Sequence, residues 1–211
     1  SANINAEVEY TYYEDGQKKY AETYKDGKKN GKETWWYENG QKRWEGNYKD
    51  DKLDGKQTDW HENGQKWSEI NYKDGKLHGD YIVWDQNEKV KIKRLYENGQ
   101  KELEINYKDG KEVIKTYYYY YENGQKESEI NYKDDEFDGK QIKWHENGQK
   151  QSEQNYKDGE LDGTWTEWYE NGQIAVQINL KKGKGEGKQT QWYENGQKQS
   201  EQNYKDGKQD G

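Results

Sequence analysis

The sequence predicts an all-β fold, an elongated single-layer antiparallel β-meander of 24-residue hairpin repeats, and three observations carry that prediction. The first is composition. Of 211 residues, 27% are hydrophobic and 37% charged, far below the roughly 45–50% apolar content of a globular domain. A core of ordinary size is therefore excluded. Yet ten Trp, 21 Tyr and one Phe are too many aromatics for a disordered chain. The second is repetition. The block Tyr37-Glu38-Asn39-Gly40-Gln41-Lys42 returns from His61, Tyr96, Tyr121, His145 and Tyr193, with near copies from Tyr13 and Tyr169. A second block, Tyr-Lys-Asp-Gly, returns at Tyr24, Tyr72, Tyr107, Tyr156 and Tyr204. The third is the alternation of apolar and polar residues between these blocks, which is the period of a strand and never that of a helix.

Each repeat reads as one hairpin. In the stretch from Gly163 to Leu180, the segment Thr164-Trp165-Thr166-Glu167-Trp168 leads into Glu170-Asn171-Gly172, and a strand through Val176, Ile178 and Leu180 follows. Asn-Gly between alternating stretches is the strongest short-range hairpin signal, and it predicts a type I′ turn with positive φ at both residues. The Asp-Gly connections, such as Lys73 to Gly79, read as longer Gly-rich turns. From Gly16 through Gly40 to Gly64, and again from Gly124 through Gly148 and Gly172 to Gly196, the period is 24. About eight copies cover residues 1–211 as one array of roughly 16 to 17 strands. At about 4.8 Å per strand such a sheet, left open, spans about 80 Å; closure into a barrel, or two halves folded over each other, is the alternative.

Period two assigns faces within each strand. The first strand of each hairpin carries Thr34 and Trp36, Thr58 and Trp60, Ile82 and Trp84, Ile142 and Trp144, and Thr166 and Trp168 on one side. The second strand carries Trp44-Gly46-Tyr48, Ser68-Ile70-Tyr72 and Val176-Ile178-Leu180. Paired so that these series share a face, the sheet has one aromatic face with a Trp row and a Tyr row, and one wet face of Lys, Glu, Gln and Asn. The period breaks once. Gly64 to Gly99 is 35 residues, so residues 80–96 contain about half an extra repeat. Val90-Lys91-Ile92-Lys93-Arg94-Leu95-Tyr96 supplies an additional strand, which moves later Asn-Gly turns to the opposite long edge.

Charge and composition exclude several functions. The net charge of −8 is a poor match for nucleic acid or an anionic membrane, both of which demand a basic surface. No apolar run is long enough for a membrane helix. The absence of Cys removes disulfides and thiolate metal sites and leaves the compartment open, with a secreted or cell-surface location slightly favoured over the cytoplasm. Ser1-Ala2-Asn3 lacks an initiator Met, consistent with a removed tag or signal peptide. Gly211 closes a repeat turn, so the array is expected to continue in a longer chain.

The unit with Tyr-x-Asn-Gly and Tyr-x-Asp-Gly-x-x-x-Gly resembles the bacterial variant of the MORN (membrane occupation and recognition nexus) repeat, over residues 8–211. The richness in Tyr, Lys, Glu and Asn is similar to arrays of AT-rich bacteria. The resemblance implies an elongated β-meander whose aromatic face takes a helix or peptide, a non-catalytic binding role, and membership of arrays commonly grouped as an antitoxin family. Residues 80–96 depart from the pattern, and under the alternative role of toxin neutralisation the specific contact is expected there.

Candidate chemistry is sparse. His61 and His145 hold equivalent positions roughly 34 Å apart in an open sheet, so they share no metal, and they read as stand-ins for Tyr. Asp50-Asp51-Lys52-Leu53-Asp54-Gly55 and Asp134 to Gly139 resemble Ca²⁺ loops, but the bidentate Glu that such a loop needs is missing in register, and turn chemistry accounts for the Asp and Gly. Repeated carboxylates make no unique catalytic constellation, so no enzyme and no cofactor is expected. What remains is the aromatic face. A one-layer sheet leaves it uncovered, and exposed apolar patches mark partner sites. The expected binding residues are Trp36, Tyr48, Trp60, Tyr72, Trp84, Trp144, Tyr156 and Trp168. The partner ranked first is a protein or peptide, self-association included. Toxin neutralisation, or glycan stacking on the rings, is the alternative.

Overall fold

A computed structural model describes residues 6–210; Ser1, Ala2, Asn3 and Gly211, on which the expectations about chain ends rest, lie outside them. The described residues are all-β with no helix and contain 22 strands, every pairing antiparallel. They form two units, residues 6–112 and 113–210. In the first unit the strands are β1 (Glu7–Tyr12), β2 (Lys18–Lys25), β3 (Lys28–Lys29), β4 (Gly31–Trp36), β5 (Lys42–Lys49), β6 (Lys52–Leu53), β7 (Gly55–Trp60), β8 (Lys66–Lys73), β9 (Lys76–Trp84), β10 (Val90–Glu97) and β11 (Gln100–Lys108). β12 (Lys111–Tyr120) contains the boundary. The second unit continues with β13 (Lys126–Lys133), β14 (Glu136–Phe137), β15 (Gly139–Trp144), β16 (Lys150–Lys157), β17 (Glu160–Leu161), β18 (Gly163–Trp168), β19 (Ile174–Lys181), β20 (Lys184–Trp192), β21 (Lys198–Lys205) and β22 (Lys208–Gln209). The count exceeds 16 to 17 because a single residue, such as Asn30, Asp54, Asp138 or Asp162, interrupts the strand after several Asp-Gly or Asp-Asp turns. There the chain bulges: Asp54 N–H donates to Asn47 O at 2.9 Å, and Gly55 follows with φ 99°.

The two kinds of turn exchange the geometries expected of them. At Asp26-Gly27, Asp74-Gly75 and Asp158-Gly159 both residues have positive φ, and Lys25 pairs with Lys28 across a two-residue loop. These Asp-Gly connections are the tight type I′ turns. At Asn39-Gly40 only the Gly is left-handed, with φ 80°. Tyr37 N–H donates to Gln41 O at 2.8 Å and Gly40 N–H to Tyr37 O at 2.9 Å, a type I turn completed by a Gly. Asn39 stays right-handed because Gln41 N–H donates to its Oδ1 at 3.0 Å. The exception is Asn98-Gly99, where both φ are positive and Glu97 pairs with Gln100. This turn follows β10, which pairs with β9 on one side and β11 on the other. Gly99 N–H donates to Leu77 O, so the turn lies on the Asp-Gly edge, opposite the other Asn-Gly turns of the unit.

Register corrects the faces. Trp35 pairs with Trp44, Glu33 with Gly46 and Thr34 with Glu45; Asp59 pairs with Ser68, Gln57 with Ile70 and Thr58 with Glu69. Directly paired residues share a face, so the Tyr48 and Tyr72 series lies on the side opposite Thr34, Trp36, Thr58 and Trp60. The expected single aromatic face does not exist. Alternation within a strand fixes faces only up to the pairing register, and a one-residue slip inverts every assignment. Here the slip comes from a β-bulge on the strand after the Asn-Gly turn: Trp36 pairs with Lys42 while Trp35 pairs with Trp44, leaving Arg43 as the extra residue. The same bulge recurs at Trp60, Trp144, Trp168 and Trp192.

The two faces are built differently. The Trp face is an ion ladder: Glu45 takes Lys32 at 3.0 Å and Lys42 at 2.5 Å, and Glu153 takes Lys140 at 2.8 Å and Lys150 at 2.5 Å. The second lysine of each pair continues over the next repeat's indole, with Lys42 5.5 Å from the Trp60 ring and Lys150 5.5 Å from the Trp168 ring. The Tyr face carries the less regular apolar side chains. There is almost no apolar core: among the described residues only Ala21 and Ile105 are buried hydrophobics, and the buried row is Thr34, Thr58, Thr116, Thr166 and Thr190. Neighbouring repeats are joined instead at their edges. Tyr37 donates from its hydroxyl to Trp60 O at 2.8 Å, Asn39 Nδ2 to Glu62 O at 2.8 Å, and Gly75 N–H to Leu53 O at 2.8 Å.

Candidate functional site

The structure divides the eight expected binding residues. Trp36, Trp60, Trp84, Trp144 and Trp168 project from the Trp face, where Lys18, Lys42, Lys126 and Lys150 lie over four of the rings at 4.9–6.0 Å. Tyr48, Tyr72 and Tyr156 project from the Tyr face. All eight are half-buried. His145 accepts the role of Tyr, its Nε2 3.2 Å from Trp168 O. Asp54 and Asp138, from the acidic turns, accept from the N–H of Asp74 and Asp158 in the following turn, so their carboxylates serve as turn acceptors. The stretch 80–96 is regular paired strand for most of its length.

A different group of residues converges on the Tyr face of the first unit. Trp35, Trp44 and Trp67 line a shallow concavity of about 450 Å³ with Tyr37, Arg43 and Asp59. The bulge positions supply Arg43 and Trp67, and the Trp35–Trp44 pair supplies the floor. Trp60 also borders it. Each ring is held. Trp35 Nε1 donates to Glu33 Oε1 at 2.9 Å, and its ring centroid lies 4.5 Å from that of Tyr20. Trp44 lies across Gly46, where an added Cβ would come within 2.5 Å of Trp44 Cη2. Arg43 is over the Tyr37 ring at 5.9 Å, and Trp67 faces His61 at 6.5 Å. Trp35 and Trp67 remain 38% and 39% exposed.

A charged cluster flanks the floor on the same face. Glu33 is 6% exposed, and Lys29 Nζ lies 2.9 Å from both Glu33 Oε2 and Glu22 Oε2. Burial works against the Lys29 charge, but hydrogen bonds to Glu22, Glu33 and Tyr20 outweigh it and raise its pKa. Burial and the Glu22 hydrogen bond push the Tyr20 phenol up. Lys29 thus bridges Glu22 and Glu33, which holds Glu33 in place to orient Trp35. Asp59 is used on one side only: Ser68 Oγ and Gln57 Nε2 both donate to its Oδ2, at 2.7 and 3.1 Å.

The second unit repeats the concavity with other side chains. Lys143, Gln151, Ser152, His145, Glu167 and Ala175 line a space of about 460 Å³, at the positions equivalent to Trp35, Arg43, Trp44, Tyr37, Asp59 and Trp67. Sequence reasoning passed over Trp35 and Trp67. Their signal is departure from the repeat: Trp36, Trp60, Trp84, Trp144, Trp168 and Trp192 are the repeat's own tryptophans, whereas Trp35, Trp44, Trp67 and Trp165 are not. Three of those four meet in this groove.

Hairpins repeated along the chain, each joined at both edges to the next, define a β-repeat scaffold. The chain belongs to the MORN repeat variant family, whose pattern matches residues 8–26, 29–50, 53–74, 77–98, 91–109, 115–134, 137–158, 161–182 and 185–206. Nine copies are found, and the fourth and fifth overlap because β10 closes one hairpin and opens the next. No curated protein matches the chain.

Proposed function

We propose that this protein is a non-catalytic binding scaffold that takes a protein or peptide partner on the Tyr face of its first unit, with Trp35, Trp44 and Trp67 as the anchor. The observation that carries this reading is the paired concavities. The same backbone builds a space of the same size with Lys143, Ser152 and Ala175, so the fold does not require indoles at these positions. Exposed Trp and Arg clustered in a preformed concavity have the composition of an interface hot spot, and rings fixed in advance bind at lower entropic cost.

Site-directed photo-crosslinking tests it. A benzophenone side chain placed at Asp59 is expected to give a discrete protein or peptide adduct in extract of the source organism. The same group at Glu167 gives none, and Trp44→Ser removes the adduct. Equal adducts from both positions, or an adduct that survives Trp44→Ser, would sink the reading. An adduct of twice the chain mass identifies a second copy as the partner.

A further inference from the structure

Resting on that reading, we infer that the groove takes a proline-rich segment in the polyproline II conformation, carrying a basic residue at its flank. Four features of the first unit select this ligand. β4, β5, β7 and β8 are each paired on both sides, so a peptide cannot add as a strand and must be held through side chains. The groove is rich in donors without partners: among the described residues, Trp44 Nε1, Trp67 Nε1 and the Arg43 guanidinium meet no hydrogen-bond acceptor, and Asp59 Oδ1 is the lining carboxylate oxygen that takes no donor. A proline-rich backbone is its complement, since proline presents a carbonyl and no N–H, and polyproline II leaves every carbonyl free to accept.

The spacing also fits. The Tyr37–Arg43 and His61–Trp67 ridges are one hairpin apart, about 9.6 Å across two strands, and one polyproline II turn advances about 9.3 Å. Every third residue of a segment running across the strands therefore meets an equivalent notch. An α-helix, about 10–12 Å wide with its side chains, is broader than this ridge spacing and repeats at about 5.4 Å per turn, so it does not match it. The free Asp59 oxygen and the net charge of −8 favour Lys or Arg beside the prolines over Asp or Glu.

The test selects a random linear dodecapeptide phage library on the full chain, with counter-selection on Trp44→Ser. Sequences with Pro at i and i+3 flanked by Lys or Arg are expected, enriched at least tenfold on the wild type over the variant. A synthetic nonaproline followed by Arg-Arg should then quench tryptophan fluorescence saturably. Trp44→Ser and Trp67→Ala should each weaken that binding at least tenfold while keeping the far-ultraviolet spectrum and melting curve. Trp44-dependent binders that lack proline and carry an amphipathic helical pattern overturn this inference and leave the partner reading standing. Nonaproline binding undiminished in both variants also overturns it. Failure to recover any Trp44-dependent peptide overturns both.

Discussion

The two concavities on the Tyr faces are an internal experiment. In the first unit the space of about 450 Å³ is walled by indoles and a guanidinium, and in the second a space of about 460 Å³ is walled by Lys143, Gln151, Ser152 and Ala175. Both arise from the same causes: a bulge that frees one residue per hairpin, a turn aromatic above it and a paired position as floor. Since the polar version forms equally well, the shape belongs to the repeat and the chemistry belongs to the particular side chains. A repeat array stabilised by neighbour contacts can therefore vary one hairpin's surface without cost to the next. That separation of scaffold from site is what the following experiments press on.

Exchanging the two surfaces should have the largest effect. Trp35→Lys, Trp44→Ser and Trp67→Ala together replace the three indoles of the first groove by their counterparts in the second, and loss of three anchor rings should weaken partner binding by about 100-fold or more. The melting temperature should fall by no more than about 5 °C, because the second unit shows these residues to be compatible with the fold. Binding retained within threefold would show that the aromatic groove is not the anchor. In the opposite direction, Ser152→Trp needs Gln154→Gly beside it, since Trp44 lies flat only because Gly46 has no side chain. Isothermal titration and differential scanning calorimetry on both exchanges separate the site from the scaffold.

Gly46→Ala is the next largest. The new methyl would stand 2.5 Å from Trp44 Cη2, and overpacking of this kind costs about 1–3 kcal/mol. In a Trp44→Ser background the obstacle is gone, so the same substitution should be nearly neutral. A double-mutant cycle by urea unfolding reads the coupling directly. Equal losses in the two backgrounds would mean that the indole does not lie across Gly46.

How much of this was legible beforehand depends on what each residue signals. Composition, the Asn-Gly and Asp-Gly blocks and alternation gave an all-β array of hairpins, because each is a local property of the chain. Face assignment failed between strands. Thr34 and Trp44 each belong to a clear alternating series, but whether they share a face depends on one unpaired residue, Arg43, and a bulge has no fixed sequence signature. The turn types were exchanged for a related reason: Asn39 tolerates positive φ but instead uses its Oδ1 to accept from Gln41, whereas Asp26 takes the left-handed conformation. The groove was visible only as an anomaly. Trp35, Trp44 and Trp67 break the repeat that makes Trp36 and Trp60 expected, and no periodicity marks an irregular ring.

A smaller effect tests the edges that both units share. Tyr37 and Tyr169 donate their hydroxyls to Trp60 O and Trp192 O, both at 2.8 Å. Tyr169→Phe keeps the ring and removes the bond, and should cost about 0.5–1.5 kcal/mol. Tyr37→Phe should cost the same and leave partner binding within about twofold, since the ring beneath Arg43 is unchanged. A tenfold binding loss in Tyr37→Phe would place the hydroxyl itself in the site.

The weakest perturbation is expected on the Trp face, where the ion ladder is largely solvent-exposed and each pair contributes about 1 kcal/mol or less. Although burial opposes it, hydrogen bonds from Lys140 and Lys150 hold Glu153 below the ordinary carboxylate range, and Lys42 and Lys32 do the same for Glu45. Hydrogen bonds from Lys188 and Lys198 bring Glu201 down to about 2. A carboxyl depressed in the folded state adds stability that is complete above its unfolded pKa of about 4.3 and is lost as pH falls through the folded value. Melting temperature should therefore hold from neutrality to about pH 5 and decline steadily toward about pH 2. Glu153→Gln should lower the neutral plateau slightly and flatten the acid limb, and Glu45→Gln should do the same in the first unit. Because both grooves open on the other face, neither substitution should alter partner binding. Parallel acid limbs for wild type and variants would remove the ladder from the stability of the scaffold, and a binding defect in Glu45→Gln alone would show that the partner reaches around to the Trp face of the first unit.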